Sequence, residues 1–250
     1  MLDGLSRPNG GHSRPLFCVG SSGLEYAMIQ WWRESGADAQ VARAAAVDSA
    51  RFEAVPQVLA VSGSASPLSA LQIDAAVAAG FVDLPVDARA LLAGSGFGCG
   101  SSGQDSLDQL TGQTIHALQQ GHSVMLHTAR GVRDSRIEAS IAALVAGGLI
   151  REQARHEGGR RLGQQLGQLV NTVLRAVPLR RLLLSGGDTS SQITQRLAPD
   201  ALLIAARLAP GAPLCRVVSR QRHLQQLQIA LKGGQMGQAD YFVKALRGTV

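Results

Sequence analysis

From residue 58 onward, short apolar runs alternate with longer segments in which apolar and polar residues are mixed. Short apolar runs bounded by glycine, proline and serine are typical of buried strands, and the mixed segments have the length of helices. We predict strands at 58–61, 81–86, 123–128, 181–184, 202–206, 214–218 and 227–231. We predict helices at 68–79, 107–120, 136–156, 160–176, 189–197 and 239–246, with Gly158-Gly159 dividing the two longest. This alternation favours an α/β fold with three α/β/α layers and a mostly parallel sheet.

The first part of the chain is different in composition. Residues 1–15 are rich in glycine, proline, serine and arginine, and we predict a disordered leader. Residues 16–20 are predicted to form a strand and residues 24–34 a helix that carries Trp31 and Trp32. Residues 38–56 are rich in alanine and are interpreted as a connection.

The charge of the chain suggests anionic partners. Its net charge is +6 and its pI is about 10.0, which invites a nucleic-acid interpretation. However, the arginines are spread along the chain and aromatic residues make up only 4%, so a basic stripe with stacking platforms is not evident. We predict no binding to nucleic acid. A positive field also suits a small polyanion such as a nucleotide.

Cysteine usage and hydropathy bear on the compartment. The three cysteines, Cys18, Cys99 and Cys215, are widely spaced and form no CxxC pair. A zinc site or a disulfide framework is therefore not expected, and a reducing cytoplasm is the default. The N-terminal residues lack the apolar core of a signal peptide. The apolar runs are too short for a bilayer, which takes about 20 residues. We predict a cytoplasmic protein without a membrane partner.

Three glycine-rich segments directly follow predicted strands: 62–67 (SGSASP), 185–191 (SGGDTSS) and 232–237 (KGGQMG). In an open α/β sheet, ligands collect beyond the carboxyl ends of the strands, where helix N-termini present N–H groups to anions. A phosphate site is one interpretation, with Lys232 as a point charge. The alternatives are an ordinary helix N-cap, an ordinary strand-to-helix turn and a flexible loop. None of the three is a GxxxxGK[ST] or GxGxxG motif, which disfavours P-loop and Rossmann proteins.

His127 and Arg130, after the predicted strand 123–128, could reach the same rim. A solvated or core role is the more ordinary interpretation of both side chains. The remaining histidines are scattered and do not suggest a metal site.

Five segments, taken in order, resemble the four-carbon acid sugar kinase family, whose members were formerly catalogued as Hrp-dependent type III effector proteins. They are VSGSASP at 61–67, HTARG at 127–131, LSGGDTS at 184–190, APGAP at 209–213, and ALKGGQMG at 230–237 with Asp240-Tyr241-Phe242. The resemblance implies a two-domain, ATP-dependent kinase for acids such as erythronate, threonate or an oxo-tetronate. It implies nucleotide contacts at Ser64, Gly186, Gly187, Asp188, Thr189 and Gly234. Asp188 is also our candidate ligand for Mg²⁺, which prefers carboxylate oxygens.

Two departures from the family pattern limit this expectation. The family commonly has KSGNFG where this chain has KGGQMG at 232–237, and the Asp-Asp-x-Thr-Gly element of its substrate domain does not occur here. We therefore expect a nucleotide-binding domain at 57–250 and a remnant of the substrate domain with its linker at 16–56. A natural fragment, a split gene and a truncated chain all fit this pattern.

The missing element leaves several functions open. If the chain is half of a kinase, a separate substrate-binding domain is a partner, and the catalytic base is not assignable from this sequence. A non-catalytic, effector-like protein and a regulator that binds a phosphosugar are the alternatives. The Trp31–Trp32 helix is expected either to pack on the nucleotide-binding domain or to form a homodimer.

Overall fold

The computed structural model describes residues 19–20, 22–35, 52–92 and 102–249. The chain divides into two units, Met1–Asp48 and Ser49–Val250. Within the first unit, helix α1 spans Ser22–Glu34, which confirms the predicted helix. The predicted leader, most of the predicted strand at 16–20 and most of the connection lie outside the described residues. Within the described ranges, no helix is both long enough and apolar enough to cross a membrane.

The second unit alternates strands and helices. The strands are β1 (Leu59–Ser62), β2 (Val82–Pro85), β3 (Val124–His127), β4 (Arg181–Ser185), β5 (Ala201–Ala209), β6 (Ala212–Val218) and β7 (Gln228–Lys232). The helices are α2 (Pro67–Ala78), α3 (Ala88–Leu92), α4 (Ser102–Gln119), α5 (Ser135–Ala146), α6 (Arg151–Ala176), α7 (Gly187–Leu197) and α8 (Tyr241–Arg247), with a 3₁₀ turn at Arg222–Leu224.

The strands form a seven-stranded sheet in the order β2-β3-β1-β4-β7-β6-β5. The pairs from β2 to β7 are parallel, whereas β6 runs antiparallel to both β7 and β5. This confirms the predicted α/β fold with a mostly parallel sheet. The APGAP segment makes the hairpin turn between β5 and β6, where Gly211 has a φ of +70°.

Alternate side chains of each strand point into two separate cores, because successive residues of a strand face opposite sides. Leu182 and Leu184 of β4 join a core with residues of α4, α6 and α7. Leu183 joins the opposite core with residues of α2 and α8. The sheet is therefore the middle of three layers, as predicted.

The two long helices do not divide where the sequence suggested. The break falls at Gly147-Gly148, where Gly148 has a φ of +99° that a side chain would disfavour. Helix α6 runs uninterrupted through Gly158-Gly159. Gly158 lies against α5 instead, since a Cβ there would stand 2.9 Å from Leu144 Cδ1. Helix α4 begins at Ser102, five residues before the predicted start at residue 107.

Helix α6 approaches α7 closely along two glycines. A Cβ at Gly163 would lie 2.8 Å from Gln192 Cβ, and a Cβ at Gly167 would lie 2.8 Å from Arg196 Cβ. Glycine at these positions lets the two helix backbones approach each other and fixes where the first turn of α7 lies.

Candidate functional site

The carboxyl ends of the parallel strands lie next to one another along one rim of the sheet. Parallel register places Ser62 of β1 opposite His127 of β3 and opposite Ser185 of β4. Ser185 is in turn opposite Lys232 of β7. The predicted glycine-rich turns after β1, β4 and β7 therefore lie side by side, on neighbouring strands.

The chain leaves this rim in opposite directions on the two sides of the β1–β4 pair. After β1 it enters α2, which contributes Ile73 and Ala76 to one core. After β4 it enters α7, which contributes Ile193 and Leu197 to the other core. Such a switch point leaves a crevice beyond the strand ends, which is where open α/β sheets bind ligands.

The turn after β1 rests directly on the first turn of α7. The N–H of Gly63 donates to Ser185 O at 2.8 Å, and a Cβ at Gly63 would overlap the side chain of Thr189. Thr189 is buried, and its side chain packs against the turn that follows β1. Gly186 has a φ of +104°, and a Cβ there would lie 3.2 Å from Ser64 N. Glycine is required at both positions for the two turns to meet.

The start of α7 is open toward solvent. Gly186 is the N-cap residue, and no side chain in the described part of the chain caps the helix. The N–H of Gly186 itself donates to Lys232 O at 3.0 Å and is not available to a ligand. The N–H groups of the first helical residues, from Gly187 onward, have no intrahelical acceptor in an α-helix and lie at the positive end of its dipole. A Cβ at Gly187 would meet no atom within 4 Å, and Asp188 is exposed beside it.

The third loop, residues 232–237, is held against the start of α2. Gly234 O accepts hydrogen bonds from Ser66 Oγ at 2.7 Å and from Ser69 Oγ at 2.9 Å. A Cβ at Gly234 would overlap the side chain of Ser64. Gln72 Nε2 donates to the carbonyls of Met236 and Gln238 at 3.0 and 2.9 Å. The GGQMG segment, which departs from the family pattern, is thus a loop held in place by these hydrogen bonds.

Lys232 does not extend over this loop as a free point charge. Its side chain is buried, and Nζ donates to Gly233 O at 3.1 Å. Nζ also lies 5.6 Å from the ring centre of Tyr241 and 5.9 Å from that of Phe242. Burial lowers the pKa of Lys232 to about 8. The ammonium lies under the loop, where it adds positive potential to the rim while holding the loop carbonyl.

A groove of about 640 Å³ opens beside the start of α7, between that helix and the end of β7. Its lining includes Gly187, Ser190, Thr194, Pro199 and Gly233. The hydroxyl groups of Ser190 and Thr194 are buried and have no hydrogen-bond partner among the described residues. Pockets of this size hold small ligands, and unpaired buried hydroxyls are costly unless something bonds to them.

Our sequence reasoning missed Ser190 and Thr194. Their spacing of four residues on a predicted helix, directly after SGGD, places both on one helix face. That spacing was the available signal.

His127 and Arg130 lie at the rim, but both belong to a closed network of charges. Arg136 Nη2 approaches His127 Nδ1 at 3.0 Å, and His127 Nε2 lies 2.9 Å from Asp83 Oδ1. Because a guanidinium only donates, Nδ1 must accept, and the ring proton resides on Nε2 and is donated to Asp83. Burial, the largest influence, lowers the pKa of His127. His127 is therefore a neutral, oriented member of the rim.

The rest of the network fixes the segment after β3. Arg130 donates to Asp74 Oδ1 at 2.7 Å and to Asp83 Oδ2 at 3.0 Å. Asp134 accepts from Arg136 Nη2 at 2.7 Å, a bond that lowers the pKa of this carboxyl far below its usual range. These hydrogen bonds hold the HTARG segment in place where β3 ends, next to β1.

Residues 59–242 match the family model of the nucleotide-binding C-terminal domain. The chain belongs to this family. The resemblance to the four-carbon acid sugar kinase family is thereby confirmed, because the curated relatives of this nucleotide-binding domain are also named as kinases. The 3-oxo-isoapionate kinase of Paraburkholderia graminis is 37% identical over 233 residues, which are 91% of this chain and 45% of that one. The 3-oxo-tetronate kinase of Burkholderia multivorans is 38% identical over 74 residues, 30% of this chain and 16% of that one.

A solved structure shows the same fold. A protein of Salmonella typhimurium LT2 superposes with a TM-score of 0.59 at 16% identity and covers 81% of this chain and 43% of its own. This nucleotide-binding domain therefore spans less than half the length of the Paraburkholderia graminis kinase and of the Salmonella typhimurium protein.

The structure gathers all six predicted nucleotide contacts at the switch point. Ser64, Gly186 and Gly234 meet where the three turns touch, and Gly187 and Asp188 face solvent beside them. Thr189 lies below the turns against Gly63. Among the described residues, no group of three or more acidic, histidine or cysteine side chains could hold a metal ion.

Proposed function

We propose that this nucleotide-binding domain holds ATP for a kinase that phosphorylates a four-carbon sugar acid of the erythronate, threonate or oxo-tetronate type. The observation that carries the proposal is the open N-terminus of α7 at the switch point, beside a groove of about 640 Å³. The family match and the kinase names of the relatives support it.

The geometry favours one orientation of the nucleotide. The phosphates would lie at Gly187 and Asp188, where helix N–H groups and dipole stabilise an anion. The nucleoside would extend into the groove between α7 and β7, whose lining includes Ser190 and Thr194. Gly187 suits this arrangement because the absence of a side chain keeps the path from helix start to groove open.

Asp188 is the residue that would hold Mg²⁺ or its waters. Mg²⁺ commonly uses one or two protein carboxylates together with substrate phosphates, so a single carboxylate fits this ion. When bound, the ion neutralises charge that develops on the transferred phosphoryl group. The chain's own contribution is to place the phosphates and one carboxylate at the same helix start.

The acceptor sugar acid needs a second set of residues. We infer that these residues and the catalytic base belong to a substrate-binding part, because the match covers only 45% of the Paraburkholderia graminis kinase. Loss of a general base alone costs about 10²–10⁴-fold in rate. We therefore expect this chain by itself to bind ATP and to transfer no phosphoryl group. The cytoplasmic location remains a prediction from the cysteine spacing.

Calorimetry with ATP tests the nucleotide part of the proposal. Wild-type protein is expected to bind ATP more tightly with Mg²⁺ than with EDTA, and Asp188→Asn should remove most of that difference. Asp105→Asn, in the first turn of α4, is the matched control and should retain it. If the ATP affinity changes neither on addition of Mg²⁺ nor in Asp188→Asn, the assignment of Asp188 as a metal ligand is refuted.

A coupled assay for ADP release tests the kinase part. The chain alone should give no release that depends on erythronate, threonate or their oxo forms. Addition of the part of the Paraburkholderia graminis kinase that this chain does not match should restore release. ATP binding without transfer in any combination would favour the alternative, a non-catalytic binding protein.

A further inference from the structure

Two buried cations of the second unit, Arg181 and Lys232, are bonded very differently. Arg181 is 1% exposed, and its guanidinium donates four hydrogen bonds, two of them to the side chain of Gln228. Lys232 is 3% exposed, and its ammonium donates one hydrogen bond, to Gly233 O at 3.1 Å. Because an ammonium has three donors, two donors of Lys232 have no acceptor among the described residues.

No described carboxylate neutralises the ammonium of Lys232. The chain's other lysine, Lys244, pairs with Asp240 at 3.4 Å, but Lys232 forms no ion pair within the described ranges. The ring centres of Tyr241 and Phe242 lie 5.6 and 5.9 Å from Lys232 Nζ, and such rings attract a cation only weakly. Buried charges are ordinarily paired with an opposite charge. The described chain therefore holds a positive charge under the loop without a counter-charge of its own.

This charge lies beside the switch point. Lys232 is the last residue of β7, and parallel register sets it opposite Ser185 of β4. The buried hydroxyl of Ser185 has no partner among the described residues. The carbonyl of Lys232 accepts from the N–H of Gly186 at 3.0 Å. The ammonium thus belongs to the strand next to the one that leads into the open start of α7.

The hydrogen bond of Lys232 also orients a peptide group. Lys232 Nζ and the N–H of Met236 both donate to Gly233 O, at 3.1 Å each. In a trans peptide the C=O and the following N–H point in opposite directions, so the N–H of Gly234 points away from the ammonium. That N–H has no acceptor among the described residues, and Gly234 lies against Ser64 where the three turns meet. A charged donor on the carbonyl polarises this peptide and makes its N–H a stronger donor.

We propose that Lys232 supplies the positive charge against which the phosphates of ATP bind, acting from beneath the loop through the Gly233–Gly234 peptide. This rests on the proposed function, which places the phosphates at the start of α7. The nucleotide provides the counter-charge that the described chain lacks, and the N–H of Gly234 donates toward it. Lys232 is a positioning residue, since it acts on the phosphates through the loop.

Binding of ATP and protonation of Lys232 must then be linked. Burial lowers the pKa of Lys232 to about 8, and the side chain is charged below this value. ATP affinity should be highest at lower pH and should fall as the pH rises through the pKa of Lys232. Linkage is reciprocal, so bound ATP must raise the pKa of Lys232 and draw in a proton.

The groups around Lys232 leave this range of pH to Lys232 itself. Tyr241 faces it from α8, and burial raises the pKa of this phenol far above its usual range. The loop 233–237 and Ser185 of β4 carry no titratable side chain. Ordinary carboxyl and lysine groups keep their charge between about pH 7 and pH 9. The neighbours of these types on α7 and at the start of α8 are Asp188, Asp240 and Lys244.

Calorimetry with Mg–ATP on the full chain tests the inference. For wild type we expect the affinity to fall about fivefold between about pH 7 and pH 9, which corresponds to a coupling factor of about ten. Near about pH 8, binding should take up protons, seen as a heat that depends on the ionisation enthalpy of the buffer. Lys232→Met should bind about tenfold more weakly at about pH 7 and should lose both the pH dependence and the proton uptake.

Two further variants separate charge from packing. Lys244→Met removes the only other lysine and is the matched control, which should keep the affinity and the pH dependence of wild type. Lys232→Arg stays charged throughout this range, so it should bind more tightly than Lys232→Met at about pH 9 and take up no protons. A purely structural role for Lys232 would change affinity in the variants but would give no proton uptake in wild type. Circular dichroism should be native for all three variants.

The outcomes distinguish this inference from the proposed function. Wild-type affinity that is equal at about pH 7 and pH 9, without proton uptake, would overturn the inference and leave the proposed function standing. A folded Lys232→Met protein with the pH dependence of wild type would do the same. No binding of ATP to wild type at neutral pH would overturn the proposed function, and the inference with it.

Discussion

The side chain of Thr189 occupies the space in which any side chain at position 63 would have to stand. The turn after β1 can therefore reach α7 only if residue 63 is glycine. This contact joins the two strands that border the switch point, and it sets the distance between the Ser64 turn and the open start of α7. The geometry of the candidate site thus depends on a packing contact below it.

We expect Gly63→Ala to destabilise the fold by about 1–3 kcal/mol, the usual cost of forcing extra atoms into packed space. Thr189→Ala should relieve part of this cost, because it removes the overlapping hydroxyl and methyl groups. Urea unfolding of both single variants and the double variant measures the coupling, which should exceed about 0.5 kcal/mol. Strictly additive free energies of unfolding would show that the two residues do not compete for this space.

The glycines of α6 allow two identical substitutions to be compared in one helix. Gly163→Ala should destabilise by about 1–3 kcal/mol, because its Cβ would press on Gln192. Gly159→Ala should stabilise by about 0.5–1 kcal/mol, because a Cβ there meets nothing within 4 Å and alanine favours helix. Thermal unfolding measures both. The same sign for both variants would contradict the described α6–α7 contact.

The glycines also show how far the sequence predicts this fold. Alternating apolar runs were enough to place every described strand of the second unit within a few residues, because short apolar segments bounded by turn residues are a strong local signal. They were not enough to place the helix break. Gly158-Gly159 and Gly147-Gly148 have the same sequence, so the sequence alone does not show which pair ends a helix. In the structure, Gly158, within α6, packs against Leu144, whereas Gly148 has a positive φ after the end of α5.

The same limit applies to the site. The three turns were predictable because each follows a strand, and parallel register then brings their ends together. The buried position of Lys232 was not predictable, because it depends on the rings of α8 that pack over it. Neither was the groove, since it forms between α7 and a strand that is distant in sequence.

Stability should fall as the pH decreases below about 6.5, with His127 as a main cause. The pKa of His127 is lowered in the fold by burial and by Arg136 and Arg130, although Asp83 opposes this. Below its ordinary pKa, the unfolded chain binds a proton that folded His127 resists, so acid favours unfolding by up to about 1.4 kcal/mol per pH unit. Above pH 6.5 this contribution is fully present.

Melting temperatures between about pH 7.5 and pH 5 measure this effect, above the range in which carboxyl groups such as Asp134 titrate. His127→Gln should flatten the decrease. His122→Gln, at an exposed histidine, is the matched control and should leave the decrease unchanged. If the melting temperature of His127→Gln depends on pH as that of wild type does, then protonation of His127 is not the cause of the acid destabilisation.

Arg181 connects the opposite end of β4 to the surrounding segments. It is 1% exposed, donates to Glu53 O at 2.9 Å and to Ala245 O, and lies over the ring of Phe52 at 5.0 Å. Arg181→Met should destabilise by about 3 kcal/mol, because it leaves buried carbonyl groups without a donor. Arg180→Met, at an exposed neighbour, should change the free energy of unfolding by less than about 0.5 kcal/mol. Equal losses would contradict this role.

Titration of Mg–ATP into Gly187→Val tests the central claim most directly. The variant should fold, because a Cβ there meets no atom of the described residues within 4 Å, but it should lose ATP affinity by at least about tenfold because the side chain would stand between the helix start and the groove. Gly112→Val is the control, at an exposed helical glycine that also has no atom within 4 Å, and it should bind like wild type. Wild-type affinity in a folded Gly187→Val protein, or no binding of millimolar Mg–ATP to wild type, would contradict a nucleotide site at this switch point.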